Sequence, residues 1–85
     1  MSYAVTLLRD VQKALDKMDE GQRGRMIRAI RLLGGNPHHS GVVKMSGRDD
    51  LFRVRVGDWR IVYAIRDREL VVIVIRIGHR REGYR

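Results

Sequence analysis

Three arginines stand within eight residues of one another in Leu51-Phe52-Arg53-Val54-Arg55-Val56-Gly57-Asp58-Trp59-Arg60-Ile61-Val62-Tyr63, spaced so that they can converge on one anion. The Gly57-Asp58 pair predicts a two-residue turn between two strands, which sets Val56 opposite Trp59 and Arg55 opposite Arg60. Side chains alternate across a strand, so Arg53 and Arg55 share the Arg60 face. Phe52, Val54, Val56, Trp59, Ile61 and Tyr63 take the other face. Like charges directly opposite one another destabilise a sheet, so a small protein that carries such a pair is expected to use it. The fixed fork of a guanidinium suits phosphate above all, which makes RNA or another polyphosphate the expected partner.

The rest of the composition agrees. Eighteen Lys and Arg against ten Asp and Glu leave a formal charge of +8 on 85 residues. That balance suits nucleic acid, ribosome, an acidic protein or an anionic membrane, and is silent on fold. The length allows one domain with a modest core. With no cysteine, disulfides and thiolate metal sites are excluded, and a reducing cytoplasm is expected. Met1 to Leu8 is too short and too polar for a signal peptide, and the apolar run Leu70 to Ile75 is too short to span a bilayer. Neither helical segment sets a basic face against bulky aromatics, so no membrane role is expected.

The arginine hairpin needs a scaffold, and the remaining periodicities supply one. Ser2 to Leu8 reads as a first strand. Arg9 to Met18 carries Val11, Ala14, Leu15 and Met18 at helical spacing, with Asp10 as a candidate cap. Gly21 interrupts the pattern and Arg23 to Leu33 resumes it with Met26, Ile27, Ile30 and Leu33, giving an αα-hairpin with one apolar stripe per helix. Met18 and Met26 are read as core. Gly34-Gly35-Asn36-Pro37 ends the second helix. His38 to Arg48 is a polar loop with a short extended piece near Val42-Val43-Lys44-Met45, and His38-His39 lacks the further ligands that a metal would need. After the hairpin comes a last strand, Glu69 to about Gly78. An even-numbered loop before it would turn Arg76 into the Ile/Tyr face, which is costly for a charge, so an odd-numbered loop is expected. Arg76 and Arg80 then join the face of Arg53, Arg55 and Arg60.

The order strand, two helices, three strands, together with "GGNP", "VVKMSG", "LFRVRVGDWRIVYAI" and "IRIGHRREGYR", resembles the RelE family of bacterial toxins. The Arg-x-Arg-x-Gly-Asp-Trp-Arg core is shared across the wider RelE/ParE superfamily, and the Gly-His-Arg ending with a nearby Tyr is more like the RelE branch. The resemblance implies an α+β, β-α-α-β-β-β domain over residues 1–85, an antiparallel sheet packed on the helical hairpin. It implies a toxin of a type II toxin–antitoxin system. Such a toxin enters the ribosomal 30S A site, cuts mRNA there and is silenced by a cognate acidic, RelB-like antitoxin. The antitoxin is expected to carry the DNA-binding part, so no direct DNA binding is expected of this chain.

Carried over residue by residue, the family pattern places catalytic groups at Arg55, Arg60, Arg80 and Tyr84, and RNA contacts at Arg53, Lys44 and His79. Cleavage without a metal or other cofactor is implied: the ribose 2′-OH attacks the adjacent phosphorus in line and leaves a 2′,3′-cyclic phosphate. Guanidinium is not deprotonated in proteins, so Arg53 and Arg55, which stand where well-known members have lysines, position phosphate and neutralise charge. Tyr84, His79 and Lys44 remain as titratable candidates for proton transfer. Two other readings stay open: a ParE-like toxin that inhibits DNA gyrase, and a non-catalytic basic module that binds RNA or the ribosome.

Overall fold

Strict alternation in the β3–β4 region builds the platform for the rest of the molecule. The computed structural model describes residues 2–47 and 50–80. Strands β3 (Leu51–Val56) and β4 (Trp59–Arg66) form the expected hairpin, with Val56 opposite Trp59 and Arg55 opposite Arg60. Gly57 takes φ +62° at the first central position, which a type II′ turn requires and most side chains disfavour. On one side β2 (Val42–Lys44) pairs antiparallel with β3. On the other, β5 (Val71–His79) pairs antiparallel with β4, and β1 (Ala4–Leu7) lies beyond it. The order across the sheet is β1-β5-β4-β3-β2.

The domain is α+β, and it differs from the expected sheet in two respects. The extended piece at Val42 forms a fifth strand, and the sheet is mixed rather than wholly antiparallel, because β1 runs parallel to β5. The parallel pairing follows from where the two strands start. Tyr3 N–H donates to Gly34 O at 2.7 Å and Ala4 N–H to Leu70 O at 2.8 Å, so β1 and β5 leave the same corner in the same direction. The approach is close: a Cβ on Gly34 would meet Val5 Cγ2 at 3.1 Å and Tyr3 O at 3.3 Å.

Helices α1 (Arg9–Asp16) and α2 (Glu20–Gly35) cover one face of the sheet. Leu8, not Asp10, holds the N-cap of α1, and Asp10 sits in its first turn, where a carboxylate favours the positive helix end. The expected break at Gly21 does not occur. Asp19 caps α2 by accepting a hydrogen bond from Gln22 N–H at 2.9 Å, so the helix starts at Glu20 with Gly21 and Gly24 inside it. Arg23 closes the hairpin from within, donating to the carbonyls of Leu15 (2.9 Å), Asp16 (3.2 Å) and Met18 (2.7 Å). A cap worth about 1 kcal/mol together with this clamp offsets a glycine penalty of about 1 kcal/mol per residue. Val11, Leu15, Met18, Met26, Ile30 and Leu33 then bury against Val54, Ile61, Tyr63, Ile65, Val72 and Val74, and both methionines are core as expected.

The loop between β4 and β5 holds four residues, 67–70, which is even rather than odd. Arg76 nevertheless stays exposed, because a bulge intervenes. Val62 pairs with Arg76 but Tyr63 pairs with Val74, so Ile75 is the extra residue on β5. The bulge shifts parity midway: Val72 and Val74 turn inward opposite Ile65 and Tyr63, while Arg76 and Gly78 keep the face of Arg60. Two contacts then fix the loop after α2. The buried Tyr63 hydroxyl donates to Pro37 O at 2.9 Å, and its pKa is raised by burial. The Asp67 carboxylate accepts from the Tyr3 hydroxyl at 2.6 Å and pairs with His38 Nε2 at 3.0 Å. The His38 ring also meets Phe52 edge-on at 5.7 Å.

Candidate active site

On the face away from the helices, cross-strand pairing sets two parallel rows. One runs Val43–Arg53–Val62–Arg76 and the other Arg55–Arg60–Gly78. Arg53, Arg55 and Arg76 are exposed, while Arg60, at the centre, is half-buried. Desolvation holds its guanidinium pKa below the ordinary value, and repulsion from Arg53, Arg55 and Arg76 adds to the effect. Arginine remains charged throughout the physiological range, so the effect is a concentrated positive field rather than a proton switch. Gly78 leaves room beside it, since a Cβ there would lie 4.0 Å from Arg76 Nε.

The block opens onto a cleft of about 470 Å³ lined by His39, Gly41, Val43, Arg53, Arg55 and Arg60. One wall is cationic and the Val43 side is apolar and half-exposed, an arrangement that suits a phosphate flanked by sugar or base. Cationic donors gathered at one place favour the charge that develops on a bound phosphoryl group.

Of the other expected site residues, Lys44, His79 and Arg80 do not line the cleft. Lys44 pairs with Phe52 and so has the parity opposite to Arg53, facing away from the cleft. His79 pairs with Trp59 and packs edge-on against its indole at 5.0 Å, beside Ala14, Lys17 and Met18 on the helical side. Trp59 is thereby part of the packing that anchors the hairpin, as expected. Arg80 stands at the hairpin turn, where its N–H donates to Asp58 O at 2.7 Å and its Nη1 lies 3.8 Å from Asp58 Oδ1. Both of those side chains are two-thirds exposed, so the pair adds little stability. Tyr84 lies outside the described residues.

Two members of the cleft region were not foreseen as site residues. Arg76 was legible, since the expected register already set it on the arginine face. His39 was not. The loop 38–41 has no periodicity to assign a direction, and an adjacent His-His pair in sequence signals at most a metal ligand. In the structure the two rings separate, His38 to Asp67 and His39 to the cleft.

Comparison with known proteins agrees with this fold. A family model described as the ParE toxin of the type II toxin–antitoxin system parDE matches residues 3–84. A putative RelE-like toxin protein of Escherichia coli is 27% identical over 85 residues, covering 98% of this chain and 88% of its own. The archaeal RelE of the RelE–RelB complex from Pyrococcus horikoshii OT3 superposes with a TM-score of 0.83 at 27% identity, over 94% of this chain and 97% of that one. The isolated E. coli RelE toxin superposes with a TM-score of 0.80 at 21% identity, over 92% and 84%, a likeness of fold.

Proposed function

From the premise that this chain belongs to the ParE toxin family of type II toxin–antitoxin systems, within the RelE/ParE superfamily, we propose that it is a ribosome-dependent mRNA endonuclease. The observation that carries the reading is the block of Arg53, Arg55, Arg60 and Arg76, of which Arg53, Arg55 and Arg60 line a cleft with room for a phosphate and its attached sugar. The RelE-type Gly78-His79-Arg80 ending and the likeness to RelE chains support it. In this reading the toxin acts in the cytoplasm, in the ribosomal A site.

The bonds made and broken all lie within the RNA. The ribose 2′-oxygen forms a bond to the adjacent phosphorus and the P–O5′ bond breaks, giving a 2′,3′-cyclic phosphate and a 5′-hydroxyl. The proton lost from the 2′-OH and the one gained by the leaving oxygen balance. Arg55 and Arg60 stabilise the phosphorane charge, each worth roughly 10²–10³ in rate. Arg53 and Arg76 hold the flanking phosphates. With Lys44 and His79 turned away from the cleft, the ribosome or the mRNA supplies part of the proton transfer, together with Tyr84 of the C-terminal motif.

A cationic active face is silenced by an acidic segment that covers it, and the solved relatives include RelE chains in complex with RelB. A cognate acidic antitoxin is the corresponding partner here. The family model's ParE description favours a second reading, gyrase inhibition. Primer-extension mapping of mRNA in a purified translation system, with and without ribosomes, run beside a gyrase supercoiling assay, separates the two. Ribosome-dependent cuts within A-site codons are expected. Intact mRNA with blocked supercoiling would move the chain to the gyrase branch.

A further inference from the structure

The loop that lines one side of the cleft holds the imidazole of His39 in a defined orientation. Gly41 N–H donates to His39 Nδ1 at 3.1 Å. An Nδ1 that accepts a hydrogen bond carries no proton, so the neutral ring keeps its proton on Nε2. The arrangement depends on Gly41: a Cβ there would stand 3.2 Å from His39 Cε1 and 3.4 Å from Nδ1, close enough to displace the ring. The chain is anchored just before His39, by Tyr63 to Pro37 O and by His38 to Asp67. His39 is half-buried and shares the cleft with Arg53, Arg55 and Arg60.

We propose that His39 is a phosphoryl-contacting residue of this site: a neutral imidazole whose Nε2–H donates to a non-bridging oxygen of the RNA phosphate held by the arginine block. The assignment rests on reading the cleft as the site of phosphoryl transfer, and it excludes His39 as the general base. A base would need a free lone pair on Nε2, and hence a proton on Nδ1 where Gly41 N–H already points. The imidazole adds a short, directional donor to the guanidinium forks and leaves the proton count of the reaction unchanged. Its benefit grows as charge develops on the oxygen, as for any preorganised donor.

Two measurements test this. Imidazole ¹⁵N spectra of the wild-type chain, with and without inorganic phosphate, read the tautomer without any turnover. The expected result is a protonated Nε2 and an unprotonated Nδ1 on His39, with the Nε2 signal moving on phosphate addition. A protonated Nδ1, or a ring indifferent to phosphate, would overturn the assignment even if the chain cleaves mRNA. Cleavage rates form the second arm. His39→Ala is expected to lose about 10²-fold. His39→Gln, which keeps an N–H near the same place, is expected to recover most of that loss with an unchanged pH profile. Gly41→Ala should fall between them. If the Gln and Ala variants are equally slow and one limb of the pH profile vanishes, His39 is an acid or base and the donor role is wrong. A wild-type chain that cuts no RNA while its spectra show the expected tautomer and phosphate response would fault the nuclease reading and leave the anion-donor role standing.

Discussion

The two faces of the β3–β4 hairpin are made by one alternating sequence and do opposite things. Val54, Ile61 and Tyr63 face the helices and are buried. Arg53, Arg55 and Arg60 face outward, and an arginine stands directly opposite an arginine. On the inner face every pairing lowers the free energy of the fold. On the outer face the Arg55–Arg60 pairing raises it, which makes sense only if something anionic is to be bound. Core packing and the concentrated positive charge are thus carried by neighbouring residues with little overlap, and substitutions one position apart should have different phenotypes.

The largest expected effect is on the inner face. Ile61→Ala should cost about 2–5 kcal/mol, since it removes a fully buried side chain at the centre of the core. Urea denaturation of the isolated chain measures it, and a loss under 1 kcal/mol would mean that this face is not the main support of the fold. One position away, Arg60's cross-strand partner behaves oppositely. Arg55→Ala should slow mRNA cleavage by about 10²-fold. Its stability should hold or rise, by up to about 1 kcal/mol, as the like-charge pairing disappears. A clear drop in stability would show that the arginine is structural.

Tyr63→Phe sharpens the comparison from the inside, because it keeps the ring and leaves Pro37 O without its donor. A loss of about 1–3 kcal/mol is expected, together with weaker cleavage, as the anchor of the His38-to-Gly41 loop is released. Thermal melts and cleavage rates on the same preparation check both halves. Smallest is the effect at Asp67, whose carboxyl pKa is lowered first by the hydrogen bond from Tyr3, then by His38. A depressed folded-state pKa contributes stability above the unfolded-state pKa and loses it as pH falls through the folded-state value. Asp67→Asn should therefore melt below wild type at neutral pH, and the gap should close in acid. A gap that widened in acid would reverse the assigned sign.

How much was legible in the sequence follows the same division. The hairpin register was, because side-chain alternation and a Gly-Asp turn are local, and both faces of β3 and β4 were assigned from it. Arg76 was also assigned correctly, although the bulge at Val62/Tyr63 that permits its orientation was not foreseen. An even loop and a bulge together leave Arg76 and Gly78 where an odd loop would, but turn Val72 and Val74 inward where an odd loop would set them on the arginine face. Alternation alone does not distinguish them. The parallel β1–β5 pairing joins segments more than sixty residues apart, which no local pattern encodes. The start of α2 is not legible, because Gly21 reads as a breaker while the helix in fact begins under the Asp19 cap two residues earlier. Of the site, the arginines were readable from spacing. His39 was not, because its direction is set by the bond to Gly41 and by the anchors of the loop at Pro37 and His38. Lys44 and His79 turned out on the far face for the same reason the arginines were found, namely parity.

The central claim is that the outward face performs phosphoryl transfer. The most direct test is the rate of A-site mRNA cleavage by Arg60→Ala in a purified translation system, with its unfolding midpoint measured on the same sample. Cleavage reduced by about 10²–10³-fold with an unfolding midpoint no lower than wild type is the expected result. Undiminished cleavage by a folded Arg60→Ala protein would contradict it, and the arginine face would then be no more than a docking surface.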